Sequence, residues 1–293
     1  MNGSATTGLF TYMLQKLAPL AHALGDKEAF AEYTQKAEEL REALNRRLWN
    51  EDLGTYSLSS DSPGNFSLTG IAWAILSGAA NETQTASSIT KLEELRFAVG
   101  YKTTSSDEET DDYELAPNPT GFLLEALFQS QRDFGANSTT AVTHLLDNLW
   151  GSMVNNNEYY SGASWEYVKP DGSPGLDLFT SLSHPWGAAP TYVLPEYLLG
   201  VVPTSPGYKT ATITPLIGFL NLKEVSGRVP TPNGPIEVSW TVDGNSADLT
   251  LVIPDGVSAT IKLASNIRSD EASFTDGQGV LSCGTTQFKV LVQ

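Results

Sequence analysis

The spacing of apolar residues changes character once along this chain, near Pro203-Thr-Ser-Pro-Gly207, and that change divides any fold it can adopt into a helical part and a β part. Upstream, apolar residues recur at helical intervals. Leu9, Met13, Leu17, Leu20 and Leu24 form a first stripe; Gly25 ends that helix, and Asp26 caps the next, with Glu28 in its first turn. Tyr33, Ala37, Leu40, Leu44 and Leu48 mark a second stripe, and a turn over 49–56 follows. Helices over 66–78 and about 84–98 make a second pair. Helices over 120–134 and 138–154 make a third, with Gly135 as terminator and Asn137 or Ser138 as cap; Val142, Leu145, Leu146, Leu149 and Met153 are its inner stripe. A last helix covers 190–200, for about seven in all.

Downstream of the change, side chains alternate. Ile236, Val238, Trp240 and Val242 share one face of a strand, and Leu249, Leu251 and Ile253 repeat the pattern, as do Ile261 and Leu263, then Phe288, Val290 and Val292. Asp243-Gly-Asn and Asp255-Gly are hairpin or loop signals. The sequence thus predicts a multi-domain protein, α then β: a helical-hairpin domain over 1–203 and a small antiparallel β-sandwich over 206–293.

Charge and composition narrow the function classes. A formal net charge of −17 argues against nucleic acid or an anionic membrane as partner. No apolar run is long enough to span a bilayer. The N-terminus has no cationic start followed by an apolar stretch, so no signal peptide is expected in this chain. Cys283 is the only cysteine, which excludes an internal disulfide; its small and apolar neighbours predict a buried, inert thiol. Asn-x-Ser/Thr acceptors at Asn2, Asn65, Asn81 and Asn137 give weak support to a secretory origin. The run Asp107 to Glu114 holds six carboxylates in eight positions but lacks the Gly and ligand spacing of a calcium loop, so it reads as a solvated loop. His22 and His144 lie on helical stripes and read as packing or surface residues. No metal is expected, since no His/Cys/Asp set has ligand spacing; no cofactor is expected either, since no Gly-rich loop looks phosphate-binding.

The chemistry concentrates in Ser161-Gly-Ala-Ser-Trp-Glu-Tyr-Val168 and Ser181-Leu-Ser-His-Pro-Trp-Gly-Ala-Ala-Pro-Thr-Tyr192. These place a carboxylate, Glu166, beside an indole, Trp165, and follow with an imidazole, His184, and a second indole, Trp186. Aromatic faces stack on the apolar face of a sugar ring, and a carboxylate among them can activate water. Glycoside hydrolysis wants two carboxyl groups, and these motifs offer one.

The ordered set of motifs resembles the C-terminal part of the α-L-rhamnosidases of glycoside hydrolase family 78. Leu24-Gly-Asp26 through Trp49 and Gly54-Thr-Tyr56 are similar to a mid-toroid helix pair and its turn; Asn118 to Leu127 and Trp150-Gly-Ser-Met153 fit the helices before the site. Gly162-Ala-Ser-Trp-Glu166 resembles the loop with the family's general base, and Ser183-His-Pro-Trp-Gly187 its sugar-binding helix start. Leu199 to Pro203, Pro206-Gly-Tyr208 and Gly227 to Pro232 fit the passage into the β-domain. The resemblance implies a partial (α/α)6 toroid of helix hairpins followed by a β-sandwich, and inverting hydrolysis of terminal α-L-rhamnosides. It implies Glu166 as general base, with Trp165, His184 and Trp186 binding the sugar, and a rhamnose-containing glycoside or polysaccharide as partner. It suggests a secreted protein.

A full toroid of this type has twelve helices, and the family's general acid lies in its first half. Nothing in residues 1–165 matches the acid motif; Glu114 and Glu125 are carboxylates in the right region without its context. An incomplete ring leaves inner apolar helix faces in water at roughly 25 cal/mol per Å2, which predicts self-association or a missing N-terminal portion. Two other functions stay open. One is a rhamnose-binding remnant or fragment without turnover. The other is a different (α/α)6 enzyme acting on uronate-containing glycans, for which Lys169 is the cation nearest the site in sequence.

Overall fold

The computed structural model describes residues 3–156, 158–264, 267–269, 277–281 and 283–292. The Asn2 acceptor lies outside them. The chain divides into two compact units: residues 3–130 with 136–190, and residues 131–135 with 191–292.

The first unit is built from helix pairs. Helices α1 (Ser4–Ala23) and α2 (Lys27–Leu48) pack on each other across the turn at Gly25, whose φ of 79° only glycine adopts readily. Asp26 caps α2, its carboxylate accepting the Ala29 N–H at 2.9 Å. Strands β1 (Trp49–Asn50) and β2 (Thr55–Tyr56) close the turn after α2 as a short hairpin. Helices α3 (Leu68–Leu76) and α4 (Glu82–Leu92) form the next pair. The expected helix to residue 98 stops at 92. There Asn81 and Gln84 form a capping box at the start of α4, while Arg96–Phe97 (β3) and Gly100–Tyr101 (β4) leave the helix to pair as a hairpin. Helix α5 (Pro117–Phe134) starts earlier than the sequence suggested, because Pro117 and Pro119 sit in a first turn that needs no amide donors. Helix α6 (Thr139–His144) runs through a wide turn over Leu145–Trp150 into α7 (Gly151–Asn155). Ser138 stands before α6, but its hydroxyl donates to the Leu127 carbonyl instead of capping the helix.

The stripes of α2 and α6–α7 face inward as expected: Ala37, Leu44, Leu48, Val142, Leu145, Leu149 and Met153 are buried. Helix α1 differs. Its buried face is small and polar (Ser4, Thr7, Gly8, Thr11, Ala18, Ala21), while Met13, Leu17, Leu20 and Leu24 are exposed. The cause is close approach to α3: a Cβ on Gly8 would lie 2.8 Å from the Trp73 Cβ. Only small residues fit that contact.

The second unit opens with the last turns of α8 (Pro190–Leu194) and carries two sheets. One contains β5 (Val201–Pro203), β6 (Thr210–Ile213), β10 (Ser258–Lys262) and β12 (Gln278–Leu281). The other contains β7 (Glu224–Val229), β8 (Ile236–Asp243), β9 (Ser246–Ile253), β11 (Ile267–Arg268) and β13 (Gly284–Val292). The alternating residues read from the sequence (Ile236, Val238, Trp240, Leu249, Leu251, Ile253, Phe288, Val290) form one buried cluster with Ile213, Ala259 and Ile261 of the other sheet. The Trp240 indole donates to the Leu198 carbonyl at 3.0 Å. The expected all-antiparallel pairing has one exception, β6 with β10, which run parallel. Cys283 is exposed, contrary to expectation. Its hydrogen bond with the Asp255 carboxylate pushes the thiol pKa above its ordinary value.

Candidate active site

Two segments of the first unit build the site. In the first, Val168 exchanges both backbone hydrogen bonds with Leu115, at 2.9 and 3.0 Å. The second returns to the first on either side of Glu166: Glu166 N–H donates to the Ser181 carbonyl at 2.9 Å, and His184 N–H to the Ser164 carbonyl at 2.7 Å. The Ser181 N–H then donates to Glu166 Oε2 at 3.2 Å, so the same residue fixes both the backbone and the carboxylate.

Three of the four residues singled out by the sequence meet here. His184 Nδ1 lies 3.6 Å from Glu166 Oε2, beyond a hydrogen bond but within ion-pair range, with the side chains 31% and 21% exposed respectively. Trp186 is the middle residue of a turn over Pro185–Gly187; its ring lies 4.4 Å from the His184 ring at 36°, and its indole N–H donates to the Glu166 carbonyl at 3.0 Å. The result is a carboxylate about one-fifth exposed, flanked by an imidazole and an indole; a carboxylate so placed can accept a proton from water, and an indole face can stack on a sugar ring. Trp165 is different. It is fully buried, its amide donates to Met153 Sδ at 3.4 Å, and its indole N–H has no partner among the described residues. It backs the site from behind and offers no surface to a ligand.

Residues that sequence reasoning passed over hold this arrangement. The Trp150 indole, at the end of the wide turn before α7, donates to the Gly187 carbonyl at 2.7 Å. Tyr167 meets Trp186 edge-on, with ring centroids 5.6 Å apart. Gly187 can only be glycine, since a Cβ there would lie 2.6 Å from the Trp165 carbonyl oxygen. Ser181 acts through its backbone, which leaves no side-chain signal; Trp150-Gly-Ser-Met153 was read only as part of the helices before the site.

The other carboxylates stand elsewhere. Glu114 Oε1 accepts the Leu176 N–H at 2.9 Å, and Glu125 lies within α5. Lys169 pairs with Asp177, whose hydrogen bond raises the lysine pKa, so this cation is already engaged. In the acidic run, Asp107 accepts from Thr104 and Tyr113, while Glu108 to Asp112 are exposed. Among the described residues no group of three or more His, Cys, Asp or Glu could hold a metal ion. His144 packs edge-on against Tyr101, and His22 meets Phe30 on the surface.

Residues 5–176 match the family model of the mannosylglycerate hydrolase MGH1-like glycoside hydrolase domain, and residues 200–276 match the bacterial α-L-rhamnosidase C-terminal domain. An α-L-rhamnosidase of Alteromonas sp. (strain LOR) is 28% identical over 153 residues, which are 49% of this chain and 16% of that protein. The α-L-rhamnosidase of Streptomyces avermitilis, solved with L-rhamnose, has a TM-score of 0.67 at 18% identity and covers 98% of this chain with 26% of its own. A GH78 family rhamnosidase of Bacillus sp. GL1 gives 0.65 at 24% identity, with 90% and 26% covered. This chain therefore spans less than a third of the length of these relatives. The chain belongs to the MGH1-like glycoside hydrolase family.

Proposed function

We propose that this chain supplies the base-bearing side of an α-L-rhamnosidase site that acts with inversion on terminal α-L-rhamnosides. The observation that carries the reading is the grouping of Glu166, His184 and Trp186, with the Glu166 carboxylate held by the Ser181 amide. In this reading Glu166 takes a proton from the water that attacks the anomeric carbon, opposite the departing oxygen. Trp186 and His184 meet the sugar, and Trp165 stiffens the wall behind them. An inverting site sets its acid about 6.5–9.5 Å from the base, and no residue of this chain is assigned that role. The reading takes the helix pairs as part of an (α/α)6 ring and the two sheets as a sandwich; the packing of α1 on α2 and α3, and the cluster shared by both sheets, support it.

The test is release of L-rhamnose from an aryl α-L-rhamnoside. Turnover that disappears in Glu166→Gln supports the reading. A folded, monodisperse protein that neither turns over the glycoside nor binds L-rhamnose rejects it.

A second reading is rhamnose binding without turnover: among the described residues the polar contacts of the Glu166 carboxylate are the Ser181 backbone N–H and the His184 imidazole, and residues 1–165 carry no match to the family's acid motif. Saturable rhamnose binding that weakens in Trp186→Ala, with no hydrolysis, would establish it. For the uronate reading, Lys169, the cation nearest the site in sequence, is paired with the exposed Asp177.

A further inference from the structure

Between Val168 and Ser181 the chain leaves the Glu166 segment and comes back to it, and the return delivers the amide that holds Glu166 Oε2. Backbone bonds secure the first part of this excursion: Lys169 N–H to Ser173, Gly172 N–H to Lys169, and Gly175 N–H to Tyr167. Beyond Gly175 the path is unfavourable. Leu176 and Asp177 have φ values of 56° and 46°, two consecutive non-glycine residues in the left-handed region. Such a conformation persists only where neighbours impose it. Two side chains do so here. Glu114 Oε1 accepts the Leu176 N–H, and Lys169 pairs with Asp177. Asp177 is largely exposed, so solvent screens its pair. Glu114 is enclosed at its carboxylate: its Oε2 is buried with no hydrogen-bond partner among the described residues, and it lies against Gly175 so closely that a Cβ there would sit 2.0 Å away. Glu114 is itself anchored, since Leu115 next to it pairs with Val168.

We propose that Glu114 is a positioning residue that latches the 169–181 excursion and so keeps the Ser181 N–H on Glu166. It acts through the backbone and touches no reacting atom. Its use in catalysis rests on the reading of Glu166 as the base; the latch itself does not.

Amide hydrogen exchange resolved by residue, in the full chain, tests it. In Glu114→Ala the Leu176 and Ser181 amides exchange about tenfold faster while those of α3 keep their rates, as expected for local release of one segment. Glu114→Gln retains an acceptor oxygen for Leu176 and restores both amides. Gly175→Ala, whose Cβ would meet both the Glu114 carboxylate and the Tyr167 Cβ, reproduces the release and serves if Glu114→Ala does not fold. Unchanged exchange at Ser181, a parallel loss of protection in α3, or a Gln variant that behaves as the Ala variant would each overturn the latch. A titration with L-rhamnose runs beside it. If the unmodified chain fails to bind while the exchange pattern holds, the rhamnosidase reading falls and the latch stands.

Discussion

The Trp150 indole N–H donates to the Gly187 carbonyl at 2.7 Å, and it ties the wide turn before α7 to the turn that presents His184 and Trp186. Trp150 and Gly187 are both buried, so the carbonyl has no water to replace the indole. Trp150→Phe keeps most of the ring and deletes the donor. Loss of a buried hydrogen bond of this kind costs about 1–3 kcal/mol. We expect a fall of that size in urea unfolding, and weaker L-rhamnose binding by the variant at temperatures where it remains folded. Binding equal to the unmodified chain would mean that this bond serves stability alone.

Helix α1 offers a test of which face is packed. Gly8 lies on the Trp73 backbone, with a would-be Cβ 2.9 Å from its carbonyl carbon and oxygen, whereas Leu20 is 55% exposed and Leu24 76%. Gly8→Ala should therefore destabilise by about 1–3 kcal/mol through overpacking, although alanine is the better helix former. Leu20→Gln should stay within about 0.5 kcal/mol. Denaturant midpoints for the two variants give the comparison, and the reverse order would put the helix the other way round.

That helix also marks what the sequence could not convey. Periodicity located it, Gly25 ended it and Asp26 capped its successor, because these signals are local. Which stripe of α1 is buried depends on a contact with Trp73, far away in sequence, and small residues carry no periodic signal. In the second unit, Ile236 to Trp240 and Leu249 to Ile253 declared their inner face by alternation, while β7 exposes Glu224, Ser226 and Arg228 more than a core strand would and passed unnoticed. At the site, Glu166, His184 and Trp186 were legible because each carries a distinctive side chain, a carboxylate, an imidazole and an indole, that the structure brings together. Ser181 was not, because its contribution is an amide. Trp165 is buried, and a tryptophan beside a carboxylate looks the same in sequence whether it faces a ligand or the interior.

His144 predicts a pH dependence. Burial pushes its pKa below the ordinary value of about 6.5, outweighing the bond to the Gly100 carbonyl, which acts the other way. Its Nε2 lies 3.2 Å from that carbonyl, and Nδ1 lies 3.1 Å from the Asn148 side-chain nitrogen, an arrangement suited to the neutral ring. The unfolded chain then binds the proton more readily than the folded one, so stability rises with pH across this range. The contribution is complete above the unfolded pKa and is lost as pH falls from about 6.5 through the folded value. Melting temperatures between pH 7.5 and 5 should show a decline that is smaller in His144→Gln. Parallel curves for the two proteins would exclude His144 as its source.

Gly200 and Gly244 separate two costs that sequence alone confounds. Both have positive φ, 76° and 57°. A side chain at Gly244 meets open space, while a Cβ at Gly200 would lie 2.1 Å from the Thr214 carbonyl carbon and 2.3 Å from the Pro215 nitrogen. Those atoms are backbone and cannot rotate away, and the Thr214 N–H is bound to the Gly200 carbonyl at 2.9 Å. Gly244→Ala thus incurs only the left-handed conformation, about 1–2 kcal/mol. Gly200→Ala adds a collision that must displace the start of β5 or the chain after β6, and we expect a loss of more than about 3 kcal/mol or failure to accumulate as folded protein. Circular dichroism in urea distinguishes the two. Equal losses would show that the approach of Gly200 to Thr214 is looser than described, and with it the joint between β5 and the end of β6.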